Sequence, residues 1–134
     1  MEKIIGTGVD IVKISRFEKY VSNPDSRFIT RVYTQSERSY LKGRKAQSYA
    51  GIFAAKEAVA KAFGTGFSGF FPGDIEILHD ERGKPRVVLH GRACPGLGCR
   101  VEISISHTYS DAVAFAVIIM LTNLNNFTYN ASID

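Results

Sequence analysis

The run "QSYAGIFAAKEAVAKAF", residues 47 to 63, limits the possible folds more than any other stretch of the chain. Alanine-rich and apolar at helical spacing, it reads as one long helix that is willing to be buried. Ile52, Ala55, Val59, Ala62 and Phe63 form a stripe that belongs in a core. Glu57 and Lys61 stand four apart, roughly opposite that stripe, with small Ala54 and Ala58 beside them. A Glu followed by a Lys at this spacing is an ordinary helix-stabilising pair, worth about 0.2–0.5 kcal/mol. The same two charges, kept open by small neighbours, are also what a ligand would meet. Gly64 and Gly66 follow at once, and Gly64 suits a left-handed helix cap. The loop after it, "GTGFSGFFPG", has backbone N–H groups free for phosphates. It is not a P-loop, because the glycines follow a helix and no "GKS" or "GKT" is present.

A second constraint lies near the start. "KIIGTGVDIV" reads as a first strand with Ile5, Thr7, Val9 and Ile11 on one face and Gly6, Gly8 and Asp10 on the other. Two bare positions beside a carboxylate have two explanations. Another backbone packs closely across the glycines, or the glycines leave room for a ligand next to Asp10.

Between Ser15 and Lys45 the chain reads as a series of short helices, broken by "NPD" at 23 to 25. "SRFE" and "TQSE" both match the capping-box pattern. Cations collect here, among them Lys13, Arg16, Lys19, Arg27, Arg31, Arg38, Lys42, Arg44 and Lys45. Arg27 and Arg31, four apart, share a helix side. A solvated surface and a docking surface both fit. The whole chain carries a formal charge of +4 and a pI of about 9.2, which suggests an anionic partner without choosing one.

Beyond the long helix, "DIEIL", "HDERGKP" and "RVVLHG" read as strand, turn and strand, with Gly83 in the turn. "CRVEISISH" and "AVAFAVII" add two strands, the second apolar enough for burial on both faces. His107 ends the first of these, where a histidine is commonly structural. Hairpins rather than crossovers join the strands, so the fold class is α+β, a mainly antiparallel sheet packed against helices. The 134 residues suit one domain, over 1–120, followed by a polar, asparagine-rich tail, 121–134. Cys94 and Cys99 have no second pair at zinc spacing and read as reduced thiols. No apolar run of eighteen residues and no signal-peptide pattern occur, so the expected location is cytoplasmic, with no membrane partner.

The order "GVDIV", "FAAKEAVAKAFGTG", "DIEILHDERGKPRVVLHG", "ISISHT" resembles the holo-acyl-carrier-protein synthases, the short bacterial 4'-phosphopantetheinyl transferases. The likeness runs from about Ile4 to Ile119. It implies transfer of 4'-phosphopantetheine from coenzyme A to a serine of apo-acyl carrier protein, with release of 3',5'-ADP, in fatty acid biosynthesis. It also implies a required Mg²⁺, with Mn²⁺ as an alternative ion, and a homotrimer whose coenzyme lies between subunits. By that resemblance Asp10 and Glu57 hold the metal, and Glu57, Lys61 and His107 form the catalytic set. Lys61, Gly64, Gly66, Lys84, Pro85, His107 and Thr108 lie near the coenzyme.

The residue types suit that chemistry. Mg²⁺ takes one or two carboxylates and leaves its other positions to water and phosphate oxygens. Phosphoryl transfer rests mainly on positioning and charge stabilisation. Lys61 would then neutralise phosphate charge, and Glu57, directly or through a water, would accept the serine proton. His107 is expected as a donor to coenzyme phosphates, serving a site whose carboxylates come from the next subunit. An acidic carrier protein gives the basic helices a partner, with Arg16, Arg27 and Arg31 as expected contacts. A nucleic-acid-binding module would explain the pI, but "FSGFF" is not interleaved with cations as a stacking surface would be. A magnesium-dependent nucleotide pyrophosphohydrolase would use the same ions but usually gathers more acidic residues. A non-enzymatic interaction domain would make Glu57 and Lys61 a plain surface pair.

Overall fold

The computed structural model describes residues 1–64, 71–93 and 98–121. Strand β1 (Glu2–Lys13) leads through a 3₁₀ turn (Ile14–Phe17) into α1 (Glu18–Val21), α2 (Arg27–Val32) and α3 (Gln35–Leu41). The long helix α4 (Ala46–Ala62) follows, then the hairpin β2 (Ile75–His79) and β3 (Pro85–Leu89), and finally β4 (Cys99–His107) and β5 (Asp111–Leu121). Two antiparallel sheets result, one ordered β1-β5-β4 and the other β2-β3. The α+β class and the antiparallel pairing agree with the sequence pattern. Gly83 turns the hairpin with φ +84°, where a side chain would be strained.

Helix α4 lies across the larger sheet, and two glycines set how closely. A Cβ on Gly6 would stand 2.0 Å from the Ala62 carbonyl oxygen, and one on Gly8 2.0 Å from that of Ala58. Close backbone packing is therefore what the bare face of β1 is for. The helix is buried almost all round: Ala54, Ala55, Ala58, Val59 and Ala60 are each fully enclosed. Ala54 and Ala58, expected beside an open face, instead pack in the core. Along the second half of α4 only the line Phe53, Glu57 and Lys61 keeps access to solvent.

Two further expectations change. Thr34 and Glu37 do form a capping box at α3, but Ser15 and Glu18 do not, because the chain turns in a 3₁₀ helix at Ile14 with no side-chain cap. On β5, Ala112, Ala114, Ala116 and Ile118 are buried under α4, whereas Phe115 on the other face is 46 % exposed. That outer face continues onto β1 through Ile5, Val9 and Ile11, all exposed. Burial on both faces is thus not achieved within one chain.

On its other side α4 meets a buried polar network. Lys56 Nζ lies 2.7 Å from Glu37 Oε1 and donates to the carbonyls of Ile75, at 2.7 Å, and Pro72, at 3.0 Å. Glu37 accepts from the backbone N–H groups of Thr34 and Ile77. The network ties α3, α4 and β2 into one unit. Cys99 begins β4; Cys94 and residues 122–134 lie outside the described residues.

Candidate active site

Asp10 shares the helix-facing side of β1 with Gly6 and Gly8, which brings it under the far end of α4. Its Oδ1 accepts a hydrogen bond from Lys61 Nζ at 2.9 Å, and Lys61 also donates to the Val9 carbonyl at 3.1 Å. Asp10 Oδ2 is buried and has no hydrogen-bond partner. A buried carboxylate oxygen left unpaired is costly, so such an atom asks for a ligand.

Glu57 lies half-buried one helical turn before Lys61. Burial first, and then the negative charge of Asp10, holds its carboxyl above the ordinary glutamate value, with Lys61 and Arg16 pulling the other way. The two acids therefore share one electrostatic field, although 47 positions separate them in the chain. Mutual repulsion of this kind is what a bound cation would relieve. Among the described residues no group of three or more His, Cys, Asp or Glu side chains gathers to cage a metal. Two carboxylates with one open oxygen suit a hard ion that keeps positions for water and phosphate, as Mg²⁺ does.

Sequence reasoning missed where Arg16 points. Its guanidinium lies 5.0 Å from the centre of the Phe53 ring and 5.5 Å from that of Phe17, and its charge reaches Glu57. The spacing of Phe53, Glu57 and Lys61 marks the accessible line, but nothing local in the sequence turns Arg16 toward it. Arg27 and Arg31 are exposed on α2, as expected.

The remaining residues lie elsewhere. His107 and Thr108 line a cleft of about 930 Å³ with Lys13, Lys45, Ala46 and Gln47, at the start of α4. Glu57 is three helical turns further on, roughly 16 Å at the α-helical rise. His107 Nδ1 lies 3.0 Å from the Thr108 carbonyl oxygen, so Nδ1 carries the hydrogen there. Lys84 and Pro85 line a separate groove with Cys99, Arg100, Val101 and Glu102 of β4. Gly64 caps α4 at φ +83°, its N–H donating to the Lys61 carbonyl, while Gly66 lies outside the described residues. One chain therefore assembles Asp10, Glu57, Lys61 and Arg16, but not His107, Thr108, Lys84 or Pro85.

A carboxylate from the sheet, another from one long helix and a lysine beside them are an arrangement that suits a phosphoryl-group transferase. The family model of the 4'-phosphopantetheinyl transferase superfamily matches residues 6–116, and the chain belongs to that family. Among its relatives, the holo-[acyl-carrier-protein] synthase of Clostridium botulinum (strain Eklund 17B / Type B) is 49 % identical over 121 residues, covering 86 % of this chain and 97 % of that protein. A holo-(acyl-carrier-protein) synthase from Bacillus anthracis, solved in complex with CoA (3',5'-ADP), is 37 % identical with a TM-score of 0.74, covering 88 % of this chain and 98 % of that one. The Helicobacter pylori enzyme, solved with coenzyme A, is 33 % identical with the same TM-score and covers 84 % and 98 %. No helix among the described residues is long and apolar enough to cross a membrane.

Proposed function

We propose that this protein transfers 4'-phosphopantetheine from coenzyme A to a serine hydroxyl of apo-acyl carrier protein, releasing 3',5'-ADP and so serving fatty acid biosynthesis. The observation that carries the reading is the unpaired Asp10 Oδ2 in the shared field of Glu57, beside Lys61. The Bacillus anthracis and Helicobacter pylori enzymes were solved in complex with CoA (3',5'-ADP) and coenzyme A, and the diphosphate of that molecule is the group such a site fits.

Asp10 and Glu57 would hold a Mg²⁺ or Mn²⁺ ion, which when bound supplies Lewis-acid charge for the diphosphate. The serine oxygen attacks the β-phosphorus, the bond from that phosphorus to the bridging oxygen breaks, and the electron pair leaves with 3',5'-ADP. Lys61 places its ammonium against the leaving phosphate, where charge builds up. Glu57, whose carboxyl binds a proton more readily than an ordinary glutamate, accepts the serine proton directly or through a water. Arg16 adds positive charge on the same side. Arg27 and Arg31 orient the acidic carrier protein during encounter.

The separation of His107, Thr108, Lys84 and Pro85 from Glu57 supports a composite site made by neighbouring subunits. The outer sheet face supports the same reading, since Val9 at 55 %, Ile11 at 66 % and Phe115 at 46 % exposure form an apolar patch that needs cover. A homotrimer would bury that patch and bring His107 of one chain to the coenzyme phosphates held by the next.

The test is mass spectrometry of apo-acyl carrier protein incubated with this protein, coenzyme A and Mg²⁺. A mass gain equal to one phosphopantetheinyl group is expected, and Glu57→Gln should suppress it. Cleavage of coenzyme A with no change in the carrier protein would replace the transferase with a pyrophosphohydrolase.

A further inference from the structure

We propose that Lys61 is the resident counter-ion of Asp10 and that a divalent cation takes its place there, releasing the lysine toward the substrate. This rests on the reading of Asp10 and Glu57 as a cation site given above. The contacts of the ammonium motivate it. Lys61 Nζ is bonded to two oxygens, Asp10 Oδ1 at 2.9 Å and the Val9 carbonyl at 3.1 Å. Those are hard oxygen donors, the kind an oxygen-seeking metal ion also selects.

The two partners differ in freedom. Asp10 is only 14 % exposed and is fixed by its strand, whereas Lys61 is 51 % exposed on a four-carbon stem. When the pair separates, the lysine is the member that moves. Without a cation, two acids sharing a field would leave the site doubly negative, and Lys61 offsets part of that charge. With a divalent cation on the same carboxylate, an ammonium bonded to Oδ1 would face a like charge at short range. The two occupants therefore compete. Glu57 is not bonded to Lys61 although the two stand four apart on one helix; the ammonium chooses the strand carboxylate instead.

The exchange gives the site an order of events. Lys61 is held on Asp10 until a cation arrives, and only then is its charge free to meet the diphosphate. It also offsets the charge of the carboxylate pair whenever no cation is bound, so the arrangement would persist between turnovers.

The experiment measures Mn²⁺ binding to the full chain without coenzyme A, following free Mn²⁺ by its electron paramagnetic resonance signal. Lys61→Met should tighten Mn²⁺ binding by about fivefold, the upper range of what a partly exposed ion pair is worth. Lys61→Arg, which can keep the bond to Asp10, should bind Mn²⁺ as the parent does. Arg16→Met removes a nearby cation that acts on Glu57 but is not bonded to Asp10, and should tighten Mn²⁺ binding less than Lys61→Met does. In a thermal melt, added Mn²⁺ should raise the Tm of Lys61→Met more than that of the parent. If Lys61→Met leaves Mn²⁺ affinity unchanged or weaker, or if Arg16→Met tightens it equally, the exchange is wrong. Asp10→Asn separates the two failures. Should it bind Mn²⁺ as well as the parent, the ion does not sit on Asp10 and the site reading falls too.

Discussion

Helix α4 carries two lysines, five residues apart, that each meet a carboxylate, and the two pairs have opposite characters. Lys56 and Glu37 are 1 % and 0 % exposed, and each makes further bonds to backbone groups around it. Lys61 and Asp10 are 51 % and 14 % exposed, and one oxygen of Asp10 has no partner at all. The first pair closes a network. The second leaves one open. Burial alone would have pointed to Lys56–Glu37 as the notable site, yet a fully satisfied pair has nothing left to offer a ligand. The unsatisfied oxygen, as much as the depth of burial, distinguishes the two pairs.

The contrast breaks first, and hardest, at Lys56. Lys56→Met leaves the Glu37 charge buried without its cation and should cost about 3–5 kcal/mol of folding stability in a urea titration. Changing Glu37→Gln in the same chain should recover part of that loss, because no unpaired charge then remains, while one of the two backbone N–H bonds to Glu37 loses its acceptor. If Lys56→Met melts like the parent, the network is not structural.

Lys61→Met should behave in the opposite sense. Folding should change by no more than about 1 kcal/mol, as for exposed pairs generally. The rate of phosphopantetheinyl transfer should fall roughly 10²–10³-fold, the usual cost of losing a positioned charge or donor at a transition state. A stability loss as large as that of Lys56→Met, with turnover preserved, would merge the two pairs into one class.

The smallest effect concerns Glu57 and pH. Its folded carboxyl binds protons more tightly than the unfolded one, through burial and the Asp10 charge. The stabilising contribution is therefore complete below the ordinary glutamate range and is lost as pH rises through the raised value. In EDTA, Glu57→Gln should show a slightly higher Tm than the parent at neutral pH, and the difference should vanish in acid. Equal pH dependence in both proteins would mean that the two acids do not share a field.

Much of this was legible in the sequence because it is periodic or local. The alternation in "GTGVDIV" put Gly6, Gly8 and Asp10 on one face, and the alanine run set α4. The turn at Gly83 fixed the hairpin. The Lys56–Glu37 network was not legible, since 19 positions separate its members and neither stands in a pattern that marks it as buried. Nor was the failed cap at Ser15, where the strand runs into a 3₁₀ turn that competes with a regular helix start. The outer face of β5 read as core because its residues are apolar on both parities, yet Phe115 there stays exposed in the single chain. Arg16 escaped for a related reason: its direction is set by Phe17 and Phe53 rings packed together from distant segments.

The seam between β1 and α4 has one more consequence. Since the helix rests on naked main chain at Gly6 and Gly8, the height at which α4 carries Glu57 above the strand of Asp10 is gauged by residues possessing no functional group whatever. A single added methyl there would act as a shim, prising the two acids apart without touching either. Damage at these positions would masquerade as an active-site defect in assays, while an inventory of reactive side chains would find every one of them still in place.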